Sequence, residues 1–304
     1  MIDKLLLILT TIFLVSCGGQ SKNQNSKEPT IRYIFDNDIY DEDNWNTPLI
    51  ANFVGSSIVI QTESGSNSSS IYSNLIKDNS MLLVSSNSND RAIPLMKSVK
   101  YLIESGRGSN ASQFGNPYLI LTDVLKNNSG IKYMTGGKLI FLSNFLNEPS
   151  RFKLFVKSIN SIYFGLGCDP LGSNCKDFNL AMSQQAWSAT INVYNKLHNK
   201  IPFVVGSIEY PIIGVFKYSK GIIREIYNRG NYKPIDKIGL GDIDSFFVGT
   251  NLANNECISG NIVLGNNRFV FKKGNGIDRY CKIKDDVNGI MTNIILYNNE
   301  VLKW

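Results

Sequence analysis

Five carboxylates lie within eight residues, directly after an apolar run that spans residues 31–35. These acidic residues are Asp36, Asp38, Asp41, Glu42 and Asp43. Acids packed so closely repel one another unless a cation lies between them, and clusters of oxygen ligands suit a hard divalent ion such as Ca²⁺. The stretch therefore predicts a calcium-binding loop, with a solvated acidic loop as the plain alternative.

The spacing of Asp36 and Asp38 favours the calcium interpretation. Alternate residues of an extended chain point the same way, so both carboxylates can face one site. The apolar run before them is typical of a short buried strand. Open α/β sheets bind ligands outside the carboxyl ends of their strands, which is where these two acids would lie.

Strands and helices that alternate along the chain must position these acids. Strand patterns occur at residues 31–35, 57–61, 81–84, 138–142, 158–166 and 201–205, and helix patterns occur at 48–53, 71–78, 94–105, 118–125 and 183–198. Such alternation is typical of an α/β fold, with a mainly parallel sheet flanked by helices. After residue 255, short β-rich runs with Gly/Asn turns at 265–267, 274–276 and 298–299 predict a hairpin-rich C-terminal extension.

The first 17 residues have the pattern of an export signal rather than of folded structure. Lys4 precedes an apolar stretch over residues 5–15, which is too short to span a membrane. The tetrapeptide Leu-Val-Ser-Cys that ends at Cys17 resembles a lipobox, which predicts a lipid on Cys17; an ordinary signal peptide containing a cysteine is the alternative. Residues 18–29 would then be a polar tether, and the lipid would anchor the protein in the bacterial cell envelope.

Four cysteines remain once Cys17 is assigned to the lipid. An even number in an exported protein predicts two disulfides, because extracytoplasmic compartments are oxidising. Local pairing, Cys168–Cys175 and Cys257–Cys281, is the simplest of the three connectivities. A cysteine-based metal site is disfavoured because the chain has no Cys-x-x-Cys pair.

The formal net charge of +6 points to no nucleic-acid function. Lysines and arginines are scattered along the chain, and no basic stripe carries interleaved aromatic residues. The expected partners are therefore a small molecule and, through the lipid, a membrane. The sequence is compatible with a homo-oligomer.

Four segments between about residues 30 and 250 resemble, in order, the motifs of nucleoside hydrolases of the inosine–uridine type. The acidic loop resembles the Asp-x-Asp-x-x-x-Asp-Asp signature, and residues 138–147 resemble the family's strand and Gly-Pro-Leu-Thr-Asn turn. Residues 177–179 and the run at 201–205 resemble its Glu-Phe-Asn and Ile-Pro motifs, and residues 244–248 resemble Asp-Pro-Leu-Ala-Val. The resemblance implies a nucleoside-hydrolase-like, Rossmann-like fold over residues 30–304, of which residues 255–304 are the hairpin-rich end.

The resemblance also implies a reaction and roles for single residues. Water would cleave the N-glycosidic bond of a ribonucleoside, with Ca²⁺ as cofactor, to give ribose and a free base. Asp38 would be the general base. The implied calcium ligands are Asp36, Asp43, the carbonyl of Leu146 and Asp244. The implied contacts to the ribose hydroxyls are Glu42, Asn174, Asp177 and Asn179.

Several alternatives stay open. A one-residue insertion would align Asp43 and Asn44 with the family's Asp-Asp pair, instead of Glu42 and Asp43, and Asp242 could replace Asp244 as a ligand. A non-catalytic lipoprotein that binds a nucleoside or a sugar on the same fold is the second function. A phosphohydrolase of the haloacid-dehalogenase type, with Asp36 as the nucleophile, is the third.

Overall fold

The computed structural model describes fourteen stretches of the chain. These are residues 30–37, 42–64, 82–87, 116–166, 168–172, 175–176, 178–181, 183–208, 215–221, 223–224, 247–248, 250–252, 255–283 and 287–302. The leader, the tether and the predicted helices at 71–78 and 94–105 lie outside the described residues.

Helices and strands alternate over most of the described chain, as the sequence pattern predicts. The strands are β1 (Tyr33–Asn37), β2 (Ser57–Ser64), β3 (Leu82–Asn87), β4 (Ile131–Thr135), β5 (Ile159–Phe164), β6 (Phe203–Ile208), β7 (Asn255–Gly265), β8 (Arg268–Lys273) and β9 (Asp278–Ile283). The helices are α1 (Glu42–Val54), α2 (Pro117–Asn127), α3 (Ile140–Phe145), α4 (Pro149–Ser158), α5 (Phe178–Ala181), α6 (Gln184–Leu197) and α7 (Val287–Val301), with a 3-10 turn at Val215–Tyr218.

The described strands form one sheet in the order β3-β2-β1-β4-β5-β6-β9-β7-β8. Every pairing from β3 to β9 along this order is parallel, whereas β7 is antiparallel to both β9 and β8. The predicted α/β class and mainly parallel sheet are thus confirmed. The C-terminal strands are not a separate unit, because β9 pairs with β6 and continues the parallel sheet.

Helices and loops cover both faces of the sheet. On one face, side chains such as Ile34 and Tyr133 form the main core with apolar residues of α2, α3, α4 and α6. On the other face, Phe247 packs against Tyr33 and Phe35, with ring centroids 5.5 and 4.8 Å apart respectively. Burial on both faces explains why β1 is almost continuously apolar up to Asp36.

Three sequence predictions about elements are wrong. Residues 138–142 are not a strand, because residues 140–145 form α3 and the preceding strand is β4, at 131–135. Helix α1 begins at Glu42 rather than at Pro48, and acidic residues are favourable in a first helical turn because of the helix dipole. Residues 298–299 are not a turn but lie within α7.

Helices α2 and α4 begin with the same arrangement of residues. Asn116 caps α2 by accepting hydrogen bonds from the backbone N–H groups of Tyr118 and Leu119, and Glu148 caps α4 in the same way. A proline follows each cap at the first helical position, where a missing N–H costs nothing. These caps fix where the helices begin and hence how they lie against the sheet.

The β7–β8 hairpin turns through Asn266 and Asn267, which have φ values of 52° and 57°. Positive φ at both central residues is the geometry of a type I′ turn, which asparagine tolerates well. The hairpin was predicted from the Gly-Asn-Asn sequence at 265–267. Gly260 in β7 is packed so tightly that a Cβ there would lie 2.2 Å from the Lys272 carbonyl oxygen.

Both disulfides of the local pairing are present. Cys257 and Cys281 are directly opposite one another in the antiparallel ladder of β7 and β9. Cys168 and Cys175 close a loop that lies along the outer side of β8. There the backbone N–H groups of Phe269 and Phe271 donate to the carbonyls of Cys175 and Pro170, at 2.9 and 2.7 Å.

A buried amide network joins the two ends of the described chain. The side chain of Asn298 in α7 donates to the Leu49 carbonyl at 2.9 Å and to the Ile294 carbonyl at 2.8 Å. Its oxygen accepts a hydrogen bond from the amide of Asn52 in α1 at 2.8 Å. These bonds hold α7 against α1, although 246 positions separate Asn52 from Asn298.

None of the helices in the described residues is long and apolar enough to cross a membrane.

Candidate functional site

Asp36 lies near the carboxyl end of β1, where the sequence predicts a ligand site. In the parallel ladder it pairs with Ile60 of β2 and with Thr135, the last residue of β4. The side chain is only 1% exposed, and its Oδ2 accepts a hydrogen bond from the Tyr133 hydroxyl at 2.5 Å. A carboxylate buried so completely needs such a partner, because burial without compensation is very costly.

The turn after β4 is tied to the same point of β1. The backbone N–H groups of Gly136 and Gly137 donate to the Asp36 carbonyl, at 2.8 and 3.4 Å. The Thr135 hydroxyl in turn donates to the Gly137 carbonyl at 3.3 Å. The ends of β1 and β4 therefore form one hydrogen-bonded unit at the carboxyl edge of the sheet.

Tyr133 is a neutral hydrogen-bond donor in this unit. Burial raises the pKa of its hydroxyl well above the ordinary value, and both the Asp36 charge and the hydrogen bond to Asp36 raise it further. Its ring packs edge-on against Phe155 of α4, with ring centroids 5.5 Å apart. Sequence analysis did not single out Tyr133, although the Gly-Gly turn signal at 136–137, directly after β4, marks the end of its strand.

Most of the other predicted site residues lie outside the described residues or have undescribed side chains. Asp38, Asn174, Asp177, Asp244 and the alternative ligand Asp242 fall outside the described residues. Glu42 and Asp43 are the first two residues of α1, and Asn179 is the second residue of α5. Only the backbone of these three is described, so their roles and the register of the acidic loop remain predictions. Cys17 also lies outside the described residues.

The resemblance implies that Leu146 lies at the end of a strand, but it does not. It follows α3, and its carbonyl accepts a hydrogen bond from the Lys196 ammonium at 2.8 Å. The same ammonium donates to the Asn147 side chain at 2.9 Å. The Lys196 ammonium thus occupies this carbonyl in the present structure, and the role of Leu146 as a calcium ligand stays a prediction. The turn that follows a strand here is at residues 136–139.

A second buried carboxylate, Asp278, lies at the start of β9 and was not singled out from the sequence. It is 3% exposed, and its two oxygens accept hydrogen bonds from the backbone N–H groups of Phe203, at 3.0 Å, and Ile262, at 2.9 Å. Burial raises the pKa of Asp278, while these two bonds and the nearby His198 lower it. Asp278 joins the starts of β6 and β9 to β7, at the opposite edge of the parallel strands from Asp36.

The chemistry of the Asp36 side chain fits a hard cation, since such ions prefer carboxylate oxygens as ligands. Within the described part of the chain, no group of three or more His, Cys, Asp or Glu side chains is close enough to hold a metal ion. A complete site would therefore need acids from the undescribed segments beside β1 and before residue 247. The sequence predicts Asp38 and Asp244 in those segments.

The parallel sheet and the buried acid at its carboxyl edge define an α/β protein with a candidate ligand site at the end of β1. No protein-family model and no curated protein matches the sequence. The fold is similar to the crystal structure of an inosine-uridine preferring nucleoside hydrolase from Bacillus anthracis, with a TM-score of 0.59 and 13% sequence identity. That match covers 89% of this chain and 100% of the other. The chain therefore has a nucleoside-hydrolase-like fold.

Proposed function

We propose that the protein hydrolyses the N-glycosidic bond of ribonucleosides in a calcium-dependent reaction. The main support is the position of Asp36, a buried and hydrogen-bonded acid at the carboxyl end of β1, in a fold shared with a nucleoside hydrolase. The first acid of the predicted signature is thus where a ligand site of this fold class would be.

Asp36, Asp43 and Asp244 would hold the cation, together with the carbonyl of Leu146 or a backbone carbonyl of the turn at 136–139. A bound divalent ion supplies positive charge and lowers the pKa of a coordinated water. Asp38 would accept the proton of the attacking water. Side chains with oxygen acceptors would bind the ribose hydroxyls. These are Glu42, Asn174, Asp177 and Asn179.

The acidic character of the site suits the charge that develops in the reaction. Cleavage of a glycosidic bond passes through a transition state with oxocarbenium character, which is positive at the sugar. Fixed carboxylates around the sugar stabilise this charge more than they stabilise the neutral substrate. The same carboxylates serve the cation, so one cluster would do both tasks.

An assay of ribose release tests this function. The purified protein is incubated with a panel of purine and pyrimidine nucleosides, with added Ca²⁺ or with a chelator. We expect ribose release that the chelator abolishes.

Asp38→Asn should lower the rate about 10²- to 10⁴-fold, because it removes the general base but keeps the size of the side chain. Asp123→Asn, an exposed change in α2, is the matched control and should leave the rate unchanged. Hydrolysis by Asp38→Asn at the wild-type rate would disprove the mechanism.

A second candidate function is nucleoside or sugar binding without turnover. It is favoured by the complete burial of Asp36 and its bond to Tyr133, which are also typical of a carboxylate with a structural role. Calorimetry with the same panel separates the two functions. Heat of binding without any ribose release would support the binding protein.

We further propose that a lipid on Cys17 anchors the protein in the bacterial cell envelope. The support is the lipobox-like tetrapeptide and the apolar stretch before it. Expression of the full-length chain with Cys17→Ser, followed by membrane fractionation and labelling with a fatty-acid analogue, tests this. The variant should lose the label and leave the membrane fraction. Label that persists in Cys17→Ser would rule out this attachment.

A further inference from the structure

We propose that Tyr133 is a positioning residue for the candidate site. Its hydroxyl holds the Asp36 carboxylate in the orientation in which that carboxylate binds a divalent cation. This inference rests on the calcium-dependent function proposed above and adds a residue to which the resemblance gives no role.

The hydroxyl of Tyr133 is held firmly in place. Tyr133 is in the middle of β4, a strand paired on one side with β1 and on the other with β5. Its side chain is fully buried, and its ring packs edge-on against Phe155. A ring enclosed in this way cannot change rotamer without disturbing the core. The position of the hydroxyl is therefore determined by the sheet and α4.

Asp36 is restrained both at its carboxylate and at its backbone. Its Oδ2 accepts from the Tyr133 hydroxyl, and its backbone carbonyl accepts from Gly136 and Gly137. The two backbone bonds fix the main chain of Asp36, and the bond to Oδ2 restricts the rotation of its carboxylate. Restraint of this kind lowers the entropy that a ligand loses when it binds a metal, and partners of ligands often change affinity 10- to 100-fold.

Tyr133→Phe tests the inference, because it removes the hydroxyl and keeps the ring. The readouts are the Ca²⁺ affinity of the full-length chain by calorimetry and its melting temperature in chelator. We expect the Ca²⁺ dissociation constant to rise about 10- to 100-fold. A tyrosine with a purely structural role would lower the melting temperature and leave the affinity unchanged.

Tyr163→Phe is the matched control. Tyr163 is a buried tyrosine in the neighbouring strand β5, and its side chain points to the opposite face of the sheet from Tyr133. Loss of the Tyr163 hydroxyl should change the melting temperature by an amount similar to that in Tyr133→Phe and leave the Ca²⁺ affinity at the wild-type value. Substitution of Tyr133 by 4-aminophenylalanine, which restores a donor at the same place, should restore affinity, and this variant also decides the question if Tyr133→Phe does not fold.

The outcomes separate this inference from the proposed function. Three results would overturn the role of Tyr133 while calcium binding by the wild type stands. These are wild-type Ca²⁺ affinity in Tyr133→Phe, equal losses of Ca²⁺ affinity in Tyr133→Phe and Tyr163→Phe, and a 4-aminophenylalanine variant that does not recover Ca²⁺ affinity. A wild-type protein that does not bind Ca²⁺ at all would overturn both the calcium proposal and this one.

Discussion

The carboxylate of Asp278 joins three strands, β6, β7 and β9, by hydrogen bonds. Both of its oxygens accept backbone hydrogen bonds, from Phe203 and Ile262. Asparagine has only one oxygen, so Asp278→Asn leaves one buried N–H facing another donor. We expect the free energy of unfolding to fall by about 1–3 kcal/mol, measured by urea denaturation. Asp123→Asn is the control: its carboxylate is exposed and pairs only with Lys126, and exposed pairs are worth about 0–1 kcal/mol.

Asp278 also makes stability depend on pH. Burial raises its pKa in the folded protein above the ordinary value of 3.8. Between pH 3.8 and the raised pKa of the folded protein, the folded state binds more protons than the unfolded state. The contribution of Asp278 to the free energy of unfolding is therefore fully present below pH 3.8 and is lost as pH rises through the folded pKa. Denaturation of wild type and Asp278→Asn over a pH series should show a steeper decline in wild type over this range. Parallel curves for the two proteins would contradict the assignment.

At the scale of residues, the sequence predicts positions better than partners. Asp36 was expected at the end of a buried strand and lies there, because an apolar run followed by acids marks both features locally. Tyr133 could not be foreseen as its partner, since the two residues are 97 positions apart and meet only through the pairing of β1 with β4. Leu146 lies after a helix rather than after a strand; the run before it is too short to distinguish the two elements from sequence, and the role of Leu146 as a ligand stays a prediction.

At the scale of elements, the Cys168–Cys175 loop protects the outer side of β8. Cys168→Ser/Cys175→Ser should cost about 2–4 kcal/mol of stability, because the open chain gains conformational freedom when unfolded. The loop accepts hydrogen bonds from Phe269 and Phe271, so hydrogen exchange at these two amides should become faster.

The second disulfide supplies the control for that measurement. Cys257→Ser/Cys281→Ser opens a longer loop but leaves the 168–175 loop intact. Exchange at Phe269 and Phe271 should then change only as far as global stability changes. Equal acceleration of these two amides in both double variants would contradict a local protective role.

Two glycines in different elements should respond oppositely to alanine. A Cβ at Gly260 would lie 2.2 Å from the Lys272 carbonyl oxygen and 2.7 Å from the Phe271 ring, so Gly260→Ala should lower stability by about 3 kcal/mol. Gly289, exposed in α7, has nothing within 4 Å of such a Cβ. Gly289→Ala should raise stability by about 0.5–1 kcal/mol, because alanine favours helix. Thermal unfolding of both variants checks the two signs.

Element types were predictable where the periodicity was long and ambiguous where it was short. The α6 pattern extends over about four turns and was assigned correctly. The run at 139–142 is too short to distinguish strand from helix, and α3 results because Phe141 and Phe145 lie on one helical face against Tyr118. Strand β4 was missed because Lys132 interrupts it; its ammonium reaches Asn251 on the other face of the sheet, at 2.7 Å.

At the scale of the whole molecule, Asn298 connects the last described helix to the first. Asn298→Ala removes its bonds to Leu49, Ile294 and Asn52 from a fully buried position, and we expect a loss of about 2–3 kcal/mol. Asn293→Ala, exposed on the same helix, should change stability by less than about 0.5 kcal/mol. Urea denaturation of both variants measures the difference. Equal effects would show that the network contributes little.

The alternation of strand and helix patterns along the sequence predicts the α/β architecture, but it does not predict the order of the strands in the sheet. Runs of strand and helix predict a parallel sheet because only crossover connections can join parallel strands. Insertion of β9 between β6 and β7 depends on contacts between distant segments, among them the bonds of Asp278 to Phe203 and Ile262. The Asn-Asn pair at 298–299 predicts a turn from the local sequence, whereas its role in α7 depends on α1, far away in the sequence.

The loop closed by Cys168 and Cys175 covers the edge strand β8, and edge strands are where protein molecules associate through backbone hydrogen bonds. An uncovered edge strand offers its N–H and C=O groups to a strand of a second molecule, and such pairing is a common start of aggregation. Here a disulfide-closed loop accepts the outward N–H groups of Phe269 and Phe271 within the same chain. The loop therefore occupies these two outward donors of β8, so that they are not offered to a strand of a second copy of the protein.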